Sequence, residues 1–366
     1  ARALGGKVTA AGEHEYGHSQ LHCSPGSILL QGHLAGTTFQ AWMSHSDLVA
    51  YAPADFTVTA SSENCPIAAI ENQERGIFGL QFHPEVHHTE HGSQILERFL
   101  SHAQVRRDWT PGFMVAEAIE RIRTRVGESE VISAVSGGVD STVATALVHR
   151  AVGDQLTCFY VDTGLMRTGE TEQVVSTFQE HLQVRLETIS AAEDFMTVLS
   201  SITDPEAKRK AIGNKFMQVF ERETQRLGSS AEFLVQGTIY PDVVESSGKG
   251  REQAAKIKTH HNVGGLPDEL RFTLIEPLRF MFKDEVRAVG AEVGLPKDMV
   301  WRQPFPGPGL AIRCIGEVTC ERLERLRLAD SIMQSELGAV DMLHGDTAQA
   351  FAVLLPVKSV GVMGDA

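Results

Sequence analysis

Seven consecutive residues, Ser136, Gly137, Gly138, Val139, Asp140, Ser141 and Thr142, lie between an apolar run (residues 131–135) and a stretch with Ala144, Leu147 and Val148 at helical spacing. The pattern predicts a strand, a tight loop and the first turn of a helix. Such a loop suits a polyphosphate. Glycines let backbone N–H groups approach an anion, the hydroxyls add donors, and the helix N-terminus contributes partial positive charge. No Lys follows the glycines, which excludes the GxxxxGK[ST] loop of the common nucleoside triphosphatases. Asp140 stands instead where a phosphate-bound Mg2+ would take an oxygen ligand.

Other candidates are scattered. In residues 79–86 (GLQFHPEV) His83 could take and return the proton of a nucleophile while Glu85 orients its ring; taken alone, such a turn is more readily structural. Lys283 opens a helical stripe of Val286, Val289 and Val293 and is either a point cation for phosphate or a solvated surface lysine. Arg167 offers the planar fork that matches a phosphate. Thr238 and Asp242 follow a predicted strand, at the edge where open α/β sheets bind ligands, although an Asp after Pro241 also forms turns. His260 and His261 are adjacent on a strand-like segment, so they point apart and are not expected to chelate one metal; residues 260–267 are expected to form a lid. The run Lys208, Arg209, Lys210 is expected on a solvated helix face.

The elements that must position these groups can be read from the same 366 residues. At 42% hydrophobic, the chain should hold two or three packed domains. Asp plus Glu number 47 against 33 Lys plus Arg, a net charge of −14, so a broad nucleic-acid face has no electrostatic support. No run of 18 apolar residues occurs, and no membrane span is expected. Five scattered cysteines without CxxC spacing argue against a disulfide framework or a structural zinc site. The first residue is Ala, and the opening lacks a targeting pattern, which points to a fragment.

The first hundred residues, rich in Gly, His and Ser, predict short strands such as 27–30 and 78–82. Thr110 and Pro111 mark a helix start. Beyond it, apolar runs at 131–135, 156–161, 184–189 and 233–236 alternate with helical stretches, which predicts a parallel sheet covered by helices. Asp204 and Pro205 should open a long helix with Ile212, Phe216, Val219 and Leu227 on one stripe and Gly228 at its end. Residues 304–309 (PFPGPG) cannot be regular structure. A helix near 317–337 and a strand at 351–357 should follow.

The loop SGGxDS resembles the PP-loop of the N-type ATP pyrophosphatases, which cleave ATP between its α and β phosphates and adenylate an oxygen of a second substrate. That alone leaves NAD, asparagine and argininosuccinate synthetases and tRNA-modifying enzymes open. Residues 161–167 (VDTGLMR), 236–242 (QGTIYPD), 260–267 (HHNVGGLP), 282–287 (FKDEVR) and 304–310 (PFPGPGL) resemble, in order and spacing, the glutamine-hydrolysing GMP synthetases. Residues 79–86 resemble the end of a class I glutamine amidotransferase domain, which that family carries first.

The resemblance implies an α/β chain: a partial class I amidotransferase domain (1–106), a doubly wound parallel-sheet ATP pyrophosphatase domain (107–306), and the start of an α+β dimerisation domain (307–366). It implies amination of xanthosine 5′-monophosphate to GMP with ATP and Mg2+, in a cytoplasmic homodimer of guanine nucleotide biosynthesis. His83 and Glu85 would complete a Cys-His-Glu triad. Residues 136–142 would hold ATP, with Asp140 on Mg2+ and Lys283 at the phosphates, and Arg167, Thr238, Asp242 and Asp365 would hold the second nucleotide. One departure stands out, since the family's nucleophile sits in a Gly-x-Cys-x-Gly elbow and none of the five cysteines does. The elbow is expected to precede Ala1 and the last domain to continue past Asp365, leaving a chain that hydrolyses no glutamine. A different PP-loop ligase, or a chain that binds nucleotides without turnover, are the competing readings.

Overall fold

The computed structural model describes residues 1–226, 230–246, 272–340, 342–343, 347 and 349–357. Its contacts divide the chain into two compact units, Ala1–Asp108 and Trp109–Ala366.

The first unit is built on an antiparallel sheet of β1 (Lys7–Cys23), β2 (Thr38–Tyr51), β3 (Thr57–Ser61), β4 (Ala69–Asn72) and β5 (Ile77–Leu80), in the order β2-β1-β3-β4-β5. The expectation of short strands is corrected here: β1 and β2 run for 17 and 14 residues. Along the first half of β2 Phe39, Ala41, Met43 and His45 are buried while alternate residues are not, so polar residues that looked like breaks are the outward half of a period-two pattern. Residues 27–30 are not a strand but a turn pinned by Glu71 of β4, whose buried carboxylate accepts from Ile28 N (2.8 Å), Leu29 N (3.2 Å) and the Ser27 hydroxyl. A helix, α1 (Gly92–His102), lays Ile95 into the core of Leu21, Leu30, Phe39, Met43 and Phe82.

In the second unit α2 (Pro111–Val126) starts where the sequence predicts it, with the Thr110 hydroxyl accepting from Phe113 N at 3.3 Å. Five parallel strands follow: β6 (Val131–Val135), β7 (Leu156–Asp162), β8 (Leu186–Ser190), β9 (Phe233–Val235) and β10 (Thr273–Ile275), in the order β10-β9-β6-β7-β8. The chain therefore winds outward from β6 to β8 and returns to the other side of β6. That reversal opens a crevice at the carboxyl end of β6, the place where doubly wound sheets bind ligands. The helix leaving it, α3 (Val139–Val152), buries Val143, Ala144, Leu147 and Val148.

Further helices are α4 (Glu170–Ser176), α5 (Ala192–Leu199), α6 (Pro205–Arg226), α7 (Tyr240–Ser246), α8 (Lys283–Glu292), α9 (Lys297–Val300) and α10 (Cys320–Ala339). Asp204 opens α6 by accepting from Ala207 N at 2.7 Å, and Thr319 opens α10. Leu310, Cys314, Leu323 and Leu326 share a core with Phe159, Phe195 and Phe220.

Two expectations are corrected. Lys208 does not lie on a solvated face: it is 1% exposed, although Lys210 is exposed. Residues 351–357 form no strand, only a parallel bridge between Leu354 and Cys314, and Phe351, Val353, Leu355 and Val357 are exposed. The apolar run there lacks the neighbouring strand that would make a ladder. Residues 227–228 and 260–267 lie outside the described residues.

Leu147 is fully buried between α3 and the sheet. Leu147→Ala should destabilise the second unit by about 2–5 kcal/mol, the usual range for such a cavity, measured by urea unfolding of the two proteins; a loss below about 1 kcal/mol would contradict this packing.

Candidate functional site

Only three residues separate the end of β6 from the start of α3. Gly137 makes the turn with φ +75°, and a Cβ there would stand 2.5 Å from Val174 Cγ2 and 3.1 Å from Arg302 Nη1, so only glycine fits. The hydroxyls fold the loop back on itself: Ser141 Oγ donates to Gly138 O (3.0 Å) and lies 3.1 Å from Ser136 Oγ, and Thr142 Oγ1 donates to Gly138 O (2.9 Å). Ser136 and Gly138 stay exposed at the mouth, while Val139 and Thr142 are buried beneath it.

Asp140 lies in the first turn of α3, and both of its oxygens are 2.7 Å from Lys283 Nζ. Lys283 is the first residue of α8, whose start is closed by Glu285 accepting from Phe282 N at 2.8 Å and whose Val286 and Val289 are buried. Two helix N-termini and one lysine thus converge on one carboxylate. The Lys283 side chain is 41% exposed in this pair and that of Asp140 30%. A third segment closes the site: Gly237, just after β9, would bring a Cβ within 2.9 Å of Ser141 N and 3.0 Å of Asp140 C. Thr238 is half-buried beside it. Asp242 accepts from Ile239 N at 3.0 Å, so its carboxylate is engaged in closing the first turn of α7.

A second group of charges lies on the loops after β7 and α9. Arg167 Nε is 2.8 Å from Asp330 Oδ2, poorly aligned for a hydrogen bond, and its guanidinium lies over Phe305 at 4.8 Å. Arg313, 5% exposed, stacks on Phe305 (5.1 Å) and Phe351 (4.4 Å) and stands 3.8 Å from Asp330 Oδ1. Arg302 donates to Gly137 O at 2.7 Å and pairs with the buried Glu170. Burial first, and the neighbouring charge of Arg167 second, push both Arg302 and Arg313 down to about 10. Arg167, Arg302 and Arg313 share two carboxylates, Glu170 and Asp330, while Asp298 lines the same cavity as Arg167 and Arg302; the planar forks of such guanidinium groups match an anion's oxygens. Arg167, Glu170, Gln173, Arg302 and Gln303 line part of a cavity of about 370 Å3.

The segment 304–309 is docked against the Arg167 loop. Gly309 has φ +63° and would drive a Cβ to 2.4 Å from Leu165 O, and Leu310 N donates to that same carbonyl at 2.8 Å.

In the first unit His83 Nδ1 lies 2.8 Å from Glu85 Oε1. The backbone beneath is fixed, with His83 N donating to Trp42 O (3.0 Å) and Thr89 Oγ1 to His83 O (2.6 Å). The side chains remain open to solvent, 41% and 58% exposed. The hydrogen bond from His83 holds the Glu85 carboxyl below its ordinary value. With Nδ1 so engaged, Nε2 is the nitrogen left to exchange a proton. Neither thiol of this unit can serve as its nucleophile as placed: Cys23 and Cys65 are buried, and burial pushes both up to about 11.

Known proteins decide what these groups belong to. The model for glutamine amidotransferase class-I matches residues 1–103. A GMP synthase [glutamine-hydrolyzing] from Azoarcus sp. (strain BH72) is 51% identical, covering 100% of this chain and 71% of the relative. The proteins of the same description from Chromobacterium violaceum and Thermobifida fusca are each 50% identical, over 100% of this chain and 72% and 70% of theirs. The chain belongs to the glutamine-hydrolysing GMP synthase family.

As a chain of the GMP synthase family it brings residues 136–142 and Lys283 to one crevice and Arg167 to the adjoining cavity, while His83 and Glu85 meet in the first unit. Asp365 lies outside the described residues. Sequence reasoning missed Arg302, Arg313, Gly237, Glu170 and Asp330. The two arginines had a signal, since they flank the Pro/Gly segment on either side, but their acidic partners are remote in sequence and had none.

Because Glu85 is depressed, its bond to His83 is complete above the ordinary carboxylate range and is lost as pH falls through the lowered value. Carbon-13 titration of Glu85 should show a midpoint below the ordinary value that moves upward in His83→Ala; equal midpoints in the two proteins would refute the pairing.

Proposed function

We propose that this chain catalyses the ATP-dependent amination of xanthosine 5′-monophosphate to GMP, releasing AMP and pyrophosphate, with ammonia as the nitrogen donor, which enzymes of this family draw from glutamine. The observation that carries the reading is Asp140 paired with Lys283 at the mouth of a glycine loop, at the switch point of a parallel sheet, in a chain of this family.

In the first step the base oxygen at C2 attacks the α-phosphorus of ATP. The oxygen–phosphorus bond forms as the bond to the β-phosphate oxygen breaks, and pyrophosphate departs. Ammonia then adds at C2, AMP leaves with the oxygen, and the surplus proton passes to solvent. The protein's contribution is position and charge. Backbone N–H groups at residues 136–142 and the N-terminus of α3 receive the β and γ phosphates, and Lys283 shifts from Asp140 towards the charge building on the leaving group.

One carboxylate is what a phosphate-bound Mg2+ asks of a protein, because phosphates and water complete its octahedron, and Asp140 fits that requirement. When bound, the ion would neutralise pyrophosphate charge. Arg167, with Arg302 and Arg313 beside it, would receive the 5′-phosphate of xanthylate, and Thr238, Asp242 and Asp365 would contact the second nucleotide. His83 and Glu85 would serve glutamine hydrolysis, His83 moving the proton and Glu85 holding its ring. In this reading the enzyme works in the cytoplasm as a homodimer, without nucleic acid.

The test supplies ATP, xanthosine 5′-monophosphate, Mg2+ and ammonium chloride to the 366-residue chain and measures AMP and GMP. Equimolar products are expected, and AMP without GMP, or no turnover at all, would overturn the assignment. Asp140→Asn and Lys283→Met should each lower kcat by about 10²–10³-fold, the usual cost of one preorganised charge, with thermal unfolding little changed. Gly237→Ala, which must displace the backbone of Asp140 and Ser141, should raise KM for ATP. Glutamine in place of ammonium should give no product with this polypeptide, because its two buried thiols in the first unit are not ionised near neutral pH.

A further inference from the structure

Lys208 sits in the first turn of α6 and is almost entirely enclosed. Its ammonium donates to three backbone carbonyls, Ala311 O at 3.2 Å, Cys314 O at 2.7 Å and Gly316 O at 2.6 Å. An ammonium has three donors and no acceptor capacity, so this cage satisfies it completely. Among the described residues no carboxylate pairs with it. Carbonyl dipoles alone hold the charge, as they would hold a small monovalent cation.

The three acceptors bracket Arg313. Its neighbours are fixed from both sides: Arg313 N donates to Leu310 O (3.0 Å), Leu354 N to Arg313 O (2.9 Å) and Ile315 N to Leu354 O (2.9 Å). Arg322 adds a bond to Ile315 O at 2.7 Å. Carbonyls 311, 314 and 316 can turn toward one point only because a cation occupies it; without the charge, three parallel dipoles would repel one another in a space closed to water. The position of the 311–316 backbone in turn sets the Cα from which the Arg313 guanidinium reaches Phe305, Phe351 and Asp330.

We propose that Lys208 is a positioning residue, a tethered cation that folds the 311–316 turn and thereby sets Arg313 against the Phe305 and Asp330 that it shares with Arg167, which lines the cavity. The step from that turn to substrate rests on the reading of this cavity as the xanthylate phosphate site. Lys208 touches no substrate and acts through Arg313.

Two measurements test it. The first needs no ligand: amide hydrogen exchange in residues 310–316 should be at least about tenfold faster in Lys208→Met than in the parent, with β6 and α3 unchanged, since local protection follows local stability. The second is a double-mutant cycle on xanthosine 5′-monophosphate binding by calorimetry. Lys208→Met should weaken xanthylate about tenfold and leave ATP within about twofold, and adding it to Arg313→Ala should cost no more than about twofold, because residues acting as one unit are not additive. Losses that multiply, or unchanged exchange at 310–316, would overturn the proposal. If the parent chain binds ATP but no xanthylate, the functional reading fails while exchange still decides whether Lys208 holds the turn. Should Lys208→Met not fold, Lys208→Arg takes its place, because a planar guanidinium keeps the charge but cannot meet three converging carbonyls; parent-like exchange and xanthylate affinity in that variant would equally overturn it.

Discussion

A carboxylate in the first turn of one helix and an ammonium at the start of another meet at 2.7 Å, and much of the second unit exists to bring those two helix ends together. Both positions are electrostatically awkward for the lysine, because α3 and α8 each present their positive end to the same crevice. Asp140 resolves this in the absence of phosphate. A polyphosphate entering the crevice would take over that role, so the pair is a counterion arrangement that ligand can replace. The requirement explains the surrounding packing: α3 is buried along Val143, Leu147 and Val148, α8 along Val286 and Val289, and Gly290 sits with its Cα so close to Val143 that a Cβ would stand 3.0 Å from its Cγ2. Helix ends held this firmly have little freedom to follow a ligand, which suits a site that works by prior orientation.

Arg302 connects the loop to the arginine cluster. Arg302 reaches Gly137 O with one arm and Glu170 with the other, and Glu170 also accepts from Arg167 N at 2.9 Å. The glycine turn at the carboxyl end of β6 is thereby tied to the Arg167 loop after β7. Gly137 could not carry a side chain without striking Arg302 and Val174, so the absence of a Cβ serves the tie as well as the phosphate loop. A buried Arg–Glu pair gains little net stability once desolvation is counted, yet breaking it by removing one partner leaves an uncompensated charge. The structural consequence is a fixed spacing between the glycine loop and the Arg167 loop.

What the sequence made legible follows from how each element is buried. β6 and β7 are covered on both faces and so read as continuous apolar runs, and the glycine loop between strand and helix announced itself by residue type. β1 and β2 were hidden because one face is polar and carries His, Ser and Gly that resemble turn formers. The stretch 351–357 misled in the opposite sense, since its continuous apolar run has a buried strand's composition without a strand's partner. At the site, Asp140 and Lys283 were each named from local pattern, but their contact spans 143 positions and no local pattern encodes it. Glu170, Asp330 and Lys208 were invisible for the same reason: a charged residue looks solvated until the groups that desolvate and satisfy it are known.

Lys208 and Lys283 show how the same side chain can be assigned opposite tasks by its partners. Lys283 pairs with a carboxylate at a half-exposed mouth. That attraction is strong but exchangeable, because a phosphate offers the same charge and geometry, and the side chain can move between them. Lys208 is enclosed and pairs with three neutral carbonyls belonging to the backbone it organises. No ligand can compete for it without unfolding that turn, and burial lowers its affinity for a proton, while donating to all three carbonyls at once requires the charged form. An ionic partner thus leaves a lysine free to respond to an incoming anion, and backbone dipoles do not. The distinction lies entirely in tertiary contacts, and it separates a lysine whose carboxylate partner an anion could replace from one whose partners are the backbone around Arg313.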